Sequence, residues 1–105
     1  MKILVLTQDY PRLNGTHERM YVHVRNLFYQ KKGIEVTVLN FSTNIKYEID
    51  GIKVISEKDY YSSCNNYDIL VAHAVNIKNH FRFLVKNYNR FTNIVILSCY
   101  IDKCC

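Results

Sequence analysis

Tryptophan is absent, proline occurs once and glycine three times in 105 residues. So little glycine and proline excludes collagen-like and low-complexity classes. It also excludes the glycine-rich phosphate loops. With glycine only at positions 15, 33 and 51, neither G-x-G-x-x-G nor G-x-x-x-x-G-K-[ST] can be assembled, so ordinary NAD-type and P-loop ATPase sites are ruled out. No apolar run approaches the roughly 18 residues of a spanning helix. The opening Met1-Lys2-Ile3-Leu4-Val5-Leu6 stops at Thr7-Gln8-Asp9, too short for a signal peptide and without a small-residue cleavage site. It reads as a first strand, and the expected location is the cytoplasm. Cys64, Cys99, Cys104 and Cys105 fit no zinc spacing, because adjacent Cys104-Cys105 cannot imitate a C-x-x-C knuckle; free thiols in a reducing compartment are expected, and no metal. The sequons at Asn14 and Asn40 then meet no glycosylation machinery. Acid is in short supply. Nine Asp plus Glu against 14 Lys plus Arg leave a net charge of +5, which admits anionic partners without requiring any.

What is present belongs to a globular chain: 49% hydrophobic, 22% charged, and a length that fits one domain over residues 1–105. A chain of this size buries roughly 65% of its unfolded surface, enough for a core without staples. Residues 2–6 are a continuous apolar run, the pattern of a strand covered on both faces. Pro11, Asn14 and Gly15 mark a loop over residues 7–16. Over residues 17–32, Met20, Val24, Leu27 and Phe28 recur at helical steps, with Gly33 placed to end the helix. Residues 34–41 return to a strand. Asp50-Gly51 between two alternating runs predicts a hairpin. The polar stretch 56–68 has room for a short helical turn, and residues 69–73 are another buried strand. A second helix is predicted over residues 76–91, with Ile77, Phe81, Leu84, Val85 and Tyr88 inward, and a last strand over residues 93–99. Strand, helix, strand, repeated, is the grammar of a parallel sheet, so the expectation is an α/β, Rossmann-like sheet flanked by helices. The last strand then forms an apolar edge with little chain left to cover it. Either a partner covers it or the chain is the front part of a larger protein.

In such a sheet the loop after the first strand lies where ligands bind. Gly15 allows close backbone approach, and the amides opening the following helix suit a phosphate. A turn plus a Thr16 cap accounts for the same residues equally well. His73 ends a buried strand on the same side; a half-buried histidine bonded to backbone is the competing account. Asp9 and Arg12 are looser candidates, and Glu18 is explained by the helix dipole alone.

Lys2-Ile3-Leu4-Val5-Leu6-Thr7, Tyr10-Pro11, Asn14-Gly15-Thr16-His17-Glu18-Arg19 and Gly33-Ile34-Glu35-Val36-Thr37-Val38-Leu39, in that order, resemble the N-terminal domain of family-4-type glycosyltransferases of the GT-B fold. Asp50-Gly51-Ile52-Lys53-Val54 and Asp68-Ile69-Leu70-Val71-Ala72-His73 look like two further landmarks, so the resemblance runs along nearly the whole chain. Asn14 stands where the first glycine of the usual pair would be, and Ser98-Cys99-Tyr100 where many relatives carry a histidine. The resemblance implies the acceptor-side half of an enzyme that moves a sugar from a nucleotide sugar to an acceptor hydroxyl. It implies no cofactor, Asn14, Gly15, Thr16 and His73 facing the substrate cleft, and a second Rossmann-like unit that binds most of the donor. Alone, the chain is expected to be inactive.

Lys78, Arg82, Lys86 and Arg90 recur every four residues with no acid between residues 76 and 91. A solvated outer face is the ordinary account. The functional one is peripheral contact with an anionic membrane, at its inner face, where lipid-linked acceptors lie. Two other classes compete with the transferase: a non-catalytic nucleotide-binding module of the same fold, and a nucleic-acid-binding one. The second is prompted by the charge and nine tyrosines but shows no recognised motif, so nucleic acid is not an expected partner.

Overall fold

In the computed structural model, residues 1–8, 10, 20–63, 66–73 and 78–97 are described, with only the backbone of Met20 and Tyr21. The first apolar run forms β1 (Lys2–Thr7), buried on both faces from Ile3 onward. Helix α1 (Met20–Lys31) follows and ends where expected. Gly33 takes a φ of 85°, its N–H donates to the Gln30 carbonyl at 3.0 Å, and the Ile34 N–H donates to the Tyr29 carbonyl at 3.1 Å. That double closure needs a left-handed residue, which glycine adopts without steric cost. The chain returns as β2 (Glu35–Asn40) and then makes the expected hairpin, β3 (Tyr47–Ile49) and β4 (Ile52–Ile55). Asp50 and Gly51 both have positive φ, the turn whose twist matches antiparallel strands. The polar stretch holds α2 (Glu57–Ser62), opened by a capping box in which the Ser56 hydroxyl accepts from the Asp59 N–H and the Asp59 carboxylate accepts from the Ser56 N–H. β5 (Ile69–His73), α3 (Lys78–Asn87), a single 3₁₀ turn (Tyr88–Arg90) and β6 (Asn93–Leu97) complete the order.

The strands form one sheet in the order β3-β4-β2-β1-β5-β6, parallel except at the β3–β4 hairpin. This is a Rossmann-like α/β fold in which the strand order reverses between β1 and β5. Asp68 ties the amino-terminal ends together: its carboxylate accepts from the Lys2 N–H at 2.8 Å and its own N–H donates to the Lys2 carbonyl at 2.8 Å. Side chains alternate along each strand, so the sheet builds two cores. Ile3, Val5, Val36, Val38 and Val54 pack with Val22 of α1 on one face. Leu4, Leu6, Leu39 and Leu70 pack with Tyr60 of α2 and Phe83 of α3 on the other.

Both long helices are rotated from the expected orientation. On α1 the buried residues are Val22, His23 and Asn26, and Leu27 is half-buried against the core as expected, while Val24 and Phe28 are exposed; the Met20 side chain lies outside the described residues. On α3 the buried residues are His80, Phe83 and Asn87, with Leu84 half-buried and Phe81, Val85 and Tyr88 exposed; Ile77 lies outside the described residues. The reason is common to the two. Each helix carries two adjacent stripes, and the inward one contains polar residues that find partners inside: His23 and Asn26 in a network described below, and Asn87 donating to the Tyr61 hydroxyl at 2.8 Å. Apolar counting alone favours the other stripe.

Candidate functional site

The strand order reverses between β1 and β5, and the carboxyl ends of these two strands mark the place where an open α/β sheet forms its binding crevice. Thr7 ends β1, buried, and its carbonyl accepts from the Phe41 N–H at 3.0 Å, which seats the chain leaving β2. Gln8 follows, half-buried, and its Oε1 accepts from Asn79 Nδ2 at 3.0 Å, a bond that joins the end of β1 to the first turn of α3. His73 ends β5, buried, beside the register position of Thr7. His80 is buried one residue after Asn79, its ring 5.4 Å from that of Phe41. The described rim is thus made of amide, hydroxyl and imidazole groups. Such groups both donate and accept, which suits a polyhydroxyl ligand.

Of the residues singled out from the sequence, His73 stands in this crevice. Asn14, Gly15 and Thr16 lie outside the described residues, as do Asp9, Arg12, Glu18 and the four cysteines. The basic ridge is described in full and leans on α2. Arg82 makes a bidentate pair with Glu57, both bonds 2.9 Å, which raises its already high pKa. Lys86 Nζ sits 5.2 Å from the centre of the Tyr61 ring, and the Arg90 guanidinium 6.0 Å from that of Tyr60. Lys78, at the start of α3, is exposed.

A second polar cluster, marked by no sequence motif, lies on the other side of the sheet. The Tyr10 hydroxyl lies 2.6 Å from His23 Nδ1, and His23 Nε2 lies 2.8 Å from the Asp50 carboxylate. Asn26 Nδ2 donates to the same hydroxyl at 3.0 Å. The Tyr10 carbonyl in turn accepts from the Tyr47 hydroxyl at 3.2 Å, and Asn40 Nδ2 donates to that hydroxyl at 3.2 Å. Burial pushes the Tyr10 phenol well above its ordinary pKa, against the bond from Asn26, and the nearby Tyr47 and Asp50 add to the rise. The phenol therefore keeps its proton. The phenol donates to His23 Nδ1, and the other ring nitrogen, Nε2, donates to Asp50, satisfying both bonds. With Tyr10 buried and Asp50 at the amino-terminal end of β4, away from the crevice, the chain of bonds is a clasp. It holds the segment after β1 to α1 and to the hairpin. A histidine set in a helical stripe was its one sequence signal.

A groove of about 430 Å³ lies between the hairpin and α2, lined by Lys46, Lys53, Glu48 and Asp59 among others. Its charges are mixed, so it favours no ligand of one sign. Among the described residues no group of three or more His, Cys, Asp or Glu is placed to hold a metal ion, and no helix is long and apolar enough to cross a membrane. The fold and the crevice define an α/β domain of the Rossmann-like class. No protein-family model, curated protein or solved structure matches the chain.

Proposed function

We propose that this chain is the acceptor-side domain of a GT-B-type glycosyltransferase, working with a second Rossmann-like unit that binds the nucleotide sugar. The observation that carries the reading is the crevice at the strand reversal. Its Gln8–Asn79 amide pair and His73 offer donors and acceptors to sugar hydroxyls. The ordered resemblance of the motifs to that family supports it, and the Asp50-Gly51 turn and the strand from Asp68 to His73 are two of those landmarks. In this reading the crevice orients an acceptor hydroxyl toward the anomeric carbon of the donor. The hydroxyl oxygen forms the new glycosidic bond to the anomeric carbon as the bond to the nucleoside diphosphate breaks, and the hydroxyl proton passes to the departing phosphate oxygen. By the resemblance, Asn14, Gly15 and Thr16 are the positions assigned to the departing diphosphate, whose charge backbone amides stabilise in such enzymes. The work is done in the cytoplasm, and Lys78 and Lys86 add attraction to an anionic membrane face carrying a lipid-linked acceptor.

The test has two arms. The purified chain, offered a panel of nucleotide sugars, should neither transfer nor hydrolyse them. Titrated with oligosaccharides or polyprenyl-phosphate sugars, it should show amide shifts at Gln8, His73 and Asn79, lost in Gln8→Ala and Asn79→Ala. Shifts at these positions with nucleotide and none with any acceptor would overturn the reading in favour of a nucleotide-binding module. Binding of arbitrary oligonucleotides that weakens steeply with salt would point to nucleic acid instead.

A further inference from the structure

The groove between the hairpin and α2 adjoins a smaller hollow, and the two share Lys53 and Ile55 as lining residues. Their volumes are about 430 Å³ and about 120 Å³. The larger alone falls within the roughly 300–1,000 Å³ of small-molecule sites. Strand register decides which side chains face it. Lys53 stands opposite Glu48 in the antiparallel hairpin, while the flanking pairs Tyr47–Val54 and Ile49–Ile52 pack into the core shared with Val22 of α1. Side chains alternate along a strand, so Glu48 and Lys53 turn to the α2 side, over the groove. Their charges are uncommitted there. Among the described residues neither forms an ion pair, nor does Lys46, which lines the groove with them. On the α2 wall Asp59 stays ionised, because the Ser56 N–H holds its carboxyl below the usual carboxylate range and Lys46 acts in the same direction. The smaller hollow reaches Thr37, which is buried and is the register partner of Lys53 on β2. Its hydroxyl has no hydrogen-bond partner among the described residues.

We propose that this groove binds a small zwitterion of the α-amino-acid class. Residues directly opposite each other on antiparallel strands have Cβ atoms about 5 Å apart. Glu48 and Lys53 therefore set one carboxylate and one ammonium side by side. An α-amino-acid head group, with its ammonium and carboxylate on a single carbon, bridges charges so placed. Its carboxylate meets Lys53 and takes the Thr37 hydroxyl as a second donor. Its ammonium meets Glu48, with the Asp59 carboxylate on the opposite wall. A ligand of one sign would meet a like charge beside every opposite one, which disfavours simple anions and simple amines alike. Ile55, half-buried and common to both hollows, offers an apolar surface to the ligand's side chain and so favours an aliphatic one.

An NMR titration of the whole chain with L-leucine tests this. Saturable amide shifts are expected at Glu48, Lys53 and Ile55. Isocaproate, which is leucine without its ammonium, and isoamylamine, which is leucine without its carboxylate, should each bind at least about tenfold more weakly. Lys53→Gln and, separately, Glu48→Gln should weaken leucine binding by a similar factor with unchanged far-UV circular dichroism, since both side chains are exposed. Lys53→Arg keeps the charge and should keep most of the binding. The absence of any saturable shift with leucine overturns the inference, and so does equal binding of either singly charged analogue. Binding that survives both neutral substitutions overturns it too, because the head group is then held elsewhere. Gln8, His73 and Asn79 take no part, so the outcome is independent of the transferase reading.

Discussion

Replacing Tyr10 by phenylalanine isolates the polar clasp, because the ring and its burial stay while one hydroxyl goes. That hydroxyl makes two bonds, donating to His23 Nδ1 at 2.6 Å and accepting from Asn26 Nδ2 at 3.0 Å, inside a region where Tyr10, His23 and Asn26 are all buried. Asn26 is the more exposed to loss in energy, since its Oδ1 has no partner among the described residues. A buried polar group left without its bond costs about 1–3 kcal/mol. The two orphaned nitrogens together predict a loss of about 2–4 kcal/mol. Against a total of roughly 5–15 kcal/mol for a domain, that is a large fraction. The midpoint of thermal unfolding should fall by roughly 10–20 °C, read by circular dichroism alongside urea titration. A second readout separates the clasp from simple packing. The folded phenol keeps its proton above the ordinary tyrosine pKa near 10, so above that pH the unfolded chain binds fewer protons than the native one. Stability contributed by Tyr10 is thus whole below pH 10 and falls as pH rises toward the raised folded value, by up to about 1.4 kcal/mol per pH unit. Tyr10→Phe should lack this extra alkaline slope. A variant within about 0.5 kcal/mol of the parent, or one with the parent's full alkaline slope, refutes the assignment.

The capping box of α2 predicts that Ser56→Ala costs about 1 kcal/mol in urea unfolding. The Ser56 N–H holds the Asp59 carboxyl below the usual carboxylate range, so its stabilisation is present above about pH 4 and lost as pH falls through the folded value; Asp59→Asn should remove that part of the acid dependence. Gly51 has a φ of 82°, and an added Cβ would lie 2.9 Å from Gln30 Nε2, the movable end of a side chain. Gly51→Ala is therefore expected to cost about 1–2 kcal/mol, nearly all of it backbone strain, with Gly51→Asn milder. Arg82→Ala removes an exposed pair and should cost less than about 1 kcal/mol, shrinking further in 1 M salt, as a salt titration of the unfolding midpoint would show.

The strands were legible because their signals are local. Each apolar run between residues 2 and 97 is a strand within a residue or two of its expected bounds, and Asp50-Gly51 and Gly33 end their elements for reasons contained in two or three residues. The facing of the helices was not. On α1 and α3 the deciding residues are polar, and whether His23, Asn26 or Asn87 can go inside depends on partners 27, 16 and 26 positions away in the chain, respectively. The same holds for the site. His73 was visible as the polar end of a buried strand, whereas Gln8 and Asn79, 71 residues apart, meet only because the fold brings β1 and α3 together. The four-residue ridge on α3 was visible as a pattern, but its engagement with Glu57, Tyr61 and Tyr60 required α2 beside it.

Local sequence was thus enough to determine the kind of elements, their order and the class of sheet they build, because backbone preference and apolar alternation act over a few residues. Tertiary structure alone decided which helix face is buried, which polar groups are paired and which apolar side chains of α1 and α3 are left exposed. Those outcomes turn on satisfying buried donors and acceptors across the whole chain, and no short window of sequence contains both partners.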